Sequence, residues 1–136
     1  MNLNSKHLAA TLALTLLGAG AAHAACTYPR APDALPDGDT ATKEQMVAAK
    51  KEVTRYNDEM TVYLDCIKVE SDTQLKEMEK ETAAATTDEA RKAVAARKED
   101  FERKHTQKHN AAVDEVTAVV DRFNEQLRAY KKKTEG

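Results

Sequence analysis

From Thr40 onward, apolar side chains recur at Met46, Ala49, Val53, Tyr56, Met60, Tyr63 and Ile67. Alternating steps of three and four place them on one stripe of an α-helix. The stripe drifts through Leu64, Leu75 and Met78 before the run Ala83-Ala84-Ala85. A second helical series follows at Ala90, Val94, Phe101, Ala112, Val116, Val119, Val120, Phe123, Leu127 and Tyr130. It ends in Lys131-Lys132-Lys133, cations suited to the carbonyl end of a helix. After Gly38 the chain contains no proline, and its only glycine is Gly136. Such a stretch, rich in Ala, Glu, Lys and Gln and free of helix breakers, favours helix and gives strands no support.

The pattern therefore predicts helix 1 over about residues 40–83, capped by Asp39 or Thr40, and helix 2 over about residues 87–133. Thr86-Thr87-Asp88-Glu89 reads as a capping box, Thr86 accepting from the Glu89 amide while the Glu89 carboxylate reaches back. Acid-then-base pairs at Asp72 and Lys76, Asp88 and Lys92, Glu99 and Arg103, and Asp100 and Lys104 each add a few tenths of a kcal/mol. A short linker makes the helices antiparallel neighbours, with arms about 65 Å long. Because three alanines do not themselves break a helix, one continuous bent helix is the alternative.

Ahead of the helices the composition changes: Pro29, Pro32 and Pro36 are followed by Asp37-Gly38. Proline fixes φ and pushes the preceding residue to extended geometry, so residues 25–39 form an extended strap. The fold class is all-α: an antiparallel, coiled-coil-like two-helix hairpin over residues 40–136, preceded by a Pro-rich strap.

Residues 1–24 have the order of an export signal: Lys6, an apolar run from Leu8 to Leu17, then small residues ending in Ala22-His23-Ala24. Cleavage is expected after Ala24. A membrane-spanning helix needs about 20 apolar residues, and Thr11, Thr15 and the small residues interrupt this run. The expected location is the periplasm or the exterior.

The chain's two cysteines, Cys26 and Cys66, are normally paired in an exported protein. Cys66 lies about 39 Å along a helix starting at Thr40, and an extended strap spans about 43 Å from Cys26 to Thr40. The strap thus reaches if it runs back antiparallel along helix 1, covering a face with Tyr28, Leu35 and the prolines. Closing this loop contributes roughly 3 to 4 kcal/mol by the chain-entropy argument. Two other uses of Cys26 compete: an intermolecular disulfide, and lipid anchoring, for which His23-Ala24-Ala25 lacks the usual Leu-like residue.

Composition sharpens this picture. With two Phe and no Trp the chain is poor in bulky core residues, so long helices meeting along one seam suit it better than a compact domain, and self-association is a route to further burial. Its 21 basic and 23 acidic residues are spread evenly, which argues against nucleic acid as a partner. His105 and His109 share a helix face at i,i+4, a two-ligand spacing for a metal. Lys104 and Lys108 repel a cation there, and two ligands fall short of a site, so the ordinary reading is a solvated polar face. Met46, Met60 and Met78, which invite a haem or copper reading, fit the seam. Tyr56 and Tyr63 complete the same stripe and are expected half-buried beside the strap. No nucleophile-base pair, phosphate loop or acid/base couple stands out, so no enzyme activity and no cofactor are expected.

Cys26, the prolines, Pro36-Asp37-Gly38, Ala41, Glu44, Met46, Val53, Tyr56, Met60, Tyr63-Leu64 and Cys66 together resemble a family of small exported proteobacterial proteins of unassigned activity. The resemblance covers about the first 45 residues after the signal and includes both cysteines. It implies the Cys26–Cys66 pairing and a bacterial envelope setting, and no catalytic residues. The leading expectation is a non-enzymatic envelope protein that binds a protein partner or itself. The alternatives are a chaperone-like stress protein, against which the mildly acidic charge counts, and a metal- or haem-binding helical protein.

Overall fold

The computed structural model describes residues 26–135. The expected signal segment 1–24 lies outside the described residues. Two helices, α1 (Lys43–Ala84) and α2 (Asp88–Glu135), pack against each other as an antiparallel hairpin, and no strand forms among the described residues.

Helix α1 begins three residues later than the sequence pattern suggests, because Asp37 captures the first donors. Its carbonyl accepts from the Thr40 and Ala41 amides at 3.2 and 2.8 Å, and its Oδ1 accepts from the Asp39 amide at 2.8 Å. This Asx-type turn folds Ala41 into the core. The helix cap is Thr42. Its Oγ1 accepts from the Gln45 amide at 3.3 Å, and its own amide donates to Gln45 Oε1 at 2.8 Å. The pair is a Thr-x-x-Gln capping box.

The arms are joined by a true turn, not a bend. Ala85 is extended, with φ −68° and ψ 121°, and its amide donates to Thr82 O. Arg91 reaches back to donate to the Ala85 carbonyl at 2.7 Å while pairing with Asp88. Thr87, not Thr86, caps α2: its Oγ1 accepts from the Ala90 amide at 3.1 Å. With the cap one residue later, Ala90 occupies the position expected of Glu89, so the reciprocal carboxylate contact is absent. Thr87 satisfies the amide alone.

All seven residues of the first predicted stripe are buried, with Tyr56, Met60 and Ile67 at 0, 1 and 1% exposure. They meet Ala112, Val119 and Phe123 of α2 in one continuous core, flanked by half-buried Val116, Val120, Leu127 and Tyr130. The core is thick only in the lower half of the hairpin. Beyond Ile67, burial is confined to Ser71, Met78 and Val94 among half-buried Leu75, Lys98 and Phe101. Arg97 and Glu81, 2.8 Å apart, link the arms there. That pair is solvent-exposed, so it stabilises by at most about 1 kcal/mol.

The strap lies in the groove between the helices rather than on α1 alone. Cys26 is bonded to Cys66, with 5.8 Å between their Cα atoms, and Ala31 and Leu35 pack onto the core from above. At the strap's far end Gly38 sits against α2. A Cβ there would lie 2.0 Å from Gln126 O and 2.8 Å from Tyr130 N, so only glycine fits this close backbone approach. The Gly38 amide donates to Gln126 Oε1 at 2.8 Å, and Lys133 Nζ donates to Ala41 O at 2.7 Å. An intramolecular disulfide marks a chain that folds in an oxidising, non-cytoplasmic compartment. Among the described residues no helix is long and apolar enough to cross a membrane.

Candidate functional site

The strap, α1 and α2 converge on one carboxylate. Glu115 of α2 accepts from the Tyr28 hydroxyl of the strap at 2.6 Å and from the Tyr56 hydroxyl of α1 at 3.1 Å, one on each oxygen. Tyr28 also meets Tyr63 edge to face, with ring centroids 4.8 Å apart. Burial, reinforced by the hydrogen bond to Glu115, pushes the Tyr56 phenol up to about 12 and the Tyr28 phenol upward as well. Both tyrosines stay protonated as donors. The arrangement is a structural clamp joining three segments.

The two histidines are not on a solvated face. His105 is half-buried in the seam, where its Nε2 donates to the Ile67 carbonyl of α1 at 3.2 Å and its ring stacks beside Phe101. Its surroundings explain the misreading. Between Phe101 and Ala112 the seam positions of α2 are polar, so the hydrophobic period fades although the helix face does not change. His109 is also half-buried, its Nδ1 3.4 Å from Asn110 Oδ1. Among the described residues no group of three or more His, Cys, Asp or Glu side chains comes together to hold a metal ion.

The surface left open is the outer side of α1. Val47, Val62 and Val69 are 47, 69 and 64% exposed. At about 100° per residue they fall within an arc of about 60°, opposite the buried seam. Lys51, Thr54, Asp58 and Asp65 lie on the same line and are exposed. Exposed single valines are ordinary, but two of these, Val47 and Val62, each line a groove. A shallow groove of about 330 Å3 is lined by Lys43, Glu44, Val47, Ala48 and Lys51. A second, of about 520 Å3, lies where the disulfide meets α1, lined by Cys26, Pro29, Asp58, Glu59, Val62 and Cys66. The strap thus builds one wall of the second groove.

The sequence pattern singled out none of these valines, because they fall off the dominant stripe. The available signal was the heptad step from Val62 to Val69, a β-branched pair on a helix face that packs against nothing within the hairpin. The Tyr28–Glu115–Tyr56 contact was equally hidden, since α2 carries many acids and only the register of the two arms selects Glu115. No family model, no curated protein and no solved structure matches this chain.

Proposed function

We propose that this chain is a non-enzymatic helical interaction protein of the bacterial envelope, periplasmic or secreted, that presents the outer face of α1 to another protein surface. The observation that carries this reading is the line of exposed Val47, Val62 and Val69 with its two grooves, on the side of α1 turned away from the core. The seam itself is occupied by α2 and the strap, so the surface offered to a partner is this second stripe. Export supports the setting: the disulfide requires an oxidising compartment, and residues 1–24 read as a signal peptide.

Position-specific photo-crosslinking in the native envelope tests the proposal. A photoreactive residue at position 62 is expected to form protein adducts, while the same residue at exposed position 121, on the outer side of α2, forms none. Equal labelling from both positions, or none from position 62, would remove α1 as the interaction face.

A further inference from the structure

We infer that the outer face of α1 is self-complementary and that the surface it receives is the same face of a second copy, laid antiparallel about a two-fold axis between Thr54 and Arg55. This names the partner for the interaction surface proposed above and rests on that reading.

The grooves are placed symmetrically. Val47 lies seven positions before Thr54, and Val62 seven after Arg55. Lys51 lies three before, and Asp58 three after. A two-fold axis at the midpoint therefore sets Val47 of one copy against Val62 of the other, and Lys51 against Asp58, each twice. The valine sites are about 22 Å apart along each helix, and the shallow grooves they line exchange places under the same operation.

Charge agrees with shape. The groove around Val47 is lined by two cations, Lys43 and Lys51, beside the single acid Glu44. The groove around Val62 is lined by Asp58 and Glu59. Basic meets acidic in the antiparallel orientation, whereas a parallel one stacks each groove on its like. Arg55 is already held within its own helix by Glu52 and Glu59, at 3.0 and 2.8 Å. Among the described residues Lys51 and Asp58 form no ion pair, so both are free to pair across the axis. Thr54, a small side chain at the centre, lets the helices approach. One contact opposes the pairing: Glu44 falls across from Asp65, with Lys43 beside it at the rim. A C2 contact of this kind is isologous, the same patch serving both partners, and apposed like charges weaken it strongly.

Charge reversal tests the register. Sedimentation and light scattering across a concentration series, on the mature disulfide-bonded chain, should show a reversible dimer. Lys51→Glu and Asp58→Lys each set like charges against each other twice, and each should weaken dimerisation by about tenfold or more. The double variant Lys51→Glu/Asp58→Lys should recover it, and so should an equimolar mixture of the two single variants, which associate as a heterodimer. Both substituted positions lie on exposed helix surface, and far-ultraviolet circular dichroism checks that the hairpin is intact. A monomeric wild type, single variants as dimeric as the wild type, or a double variant that fails to recover would each overturn the two-fold contact. A monomeric wild type whose position-62 probe still labels another protein would overturn this inference alone and leave the interaction face standing.

Discussion

Glu115 sends one carboxylate oxygen to each of two hydroxyls on two other segments, so a single side chain of α2 fixes both the strap and α1. Glu115→Ala leaves the fully buried Tyr56 hydroxyl without its acceptor, and urea unfolding should show a loss of about 2 to 3 kcal/mol. Glu115→Gln, which keeps one acceptor oxygen, should lose less. The phenol of Tyr56 is raised from 10.0 to about 12 in the folded chain. The folded state therefore holds its proton more tightly than the unfolded state. That contribution is fully present below pH 10 and is lost as pH rises through about 12, a gap worth roughly 3 kcal/mol. Stability should fall across this alkaline window, and ultraviolet titration should show Tyr56 ionising after an ordinary tyrosine. In Glu115→Ala its titration should move down; a phenol titrating normally in the parent protein would contradict the clamp. Gly38 makes a separate prediction. Gly38→Ala drives a methyl group into the α2 backbone at Gln126 and should cost about 1 to 3 kcal/mol in the same unfolding assay.

The helices depend on their caps and the strap on its bond. Thr42→Ala removes the hydroxyl half of a capping box and keeps the amide bond to Gln45 Oε1, and Thr87→Ala removes a single hydroxyl acceptor. Each should cost about 1 kcal/mol. Replacing Cys26 and Cys66 by serine opens a closure spanning 40 residues, with an expected loss of about 3 to 4 kcal/mol. The helical circular dichroism signal should persist at low urea, since α1 and α2 keep their shared seam, while the unfolding midpoint falls. The existence of both arms was legible in their periodicity, and all seven stripe residues from Met46 to Ile67 proved to be core. Their boundaries were not, because Asp37 competes for amides that Asp39 or Thr40 was expected to cap. Thr42-x-x-Gln45, the true signal, sat three residues downstream. Surface pairing was only partly legible for a similar reason: Asp100 does pair with Lys104, at 2.6 Å, but Asp72 pairs with Lys68, at 2.8 Å. A carboxylate between two lysines on one helix face has a choice that spacing alone does not decide.

At the scale of the whole molecule, the hairpin has a clamped base and a lightly held tip. Below Ile67 the strap, the aromatic clamp and the continuous core act together. Above it the arms meet through Ser71, Met78 and Val94 and exposed ion pairs. Hydrogen exchange should follow this division, amides of residues 72–82 and 92–102 exchanging faster than those of 49–66 and 112–126. Uniform protection along both arms would refute the division. The antiparallel arrangement was readable from the short connection, and the strap's direction from the reach between the cysteines. Its seat between the helices was not, since Glu115, Gln126 and Lys133 lie 87, 88 and 92 positions from the strap and turn residues they hold.

The covalent bond at Cys66 falls near the middle of α1, where the thick core gives way to the thin tip. Under tension the hairpin should therefore behave like a zipper with a stop. Prising the arms apart from the turn parts the weak upper seam first, and the tear then reaches a level where a third, covalently fastened segment bridges both arms. Severing that fastening chemically would free the strap from α1, so that it no longer ties its contacts with α2 to that arm and the same pull meets less resistance at the base.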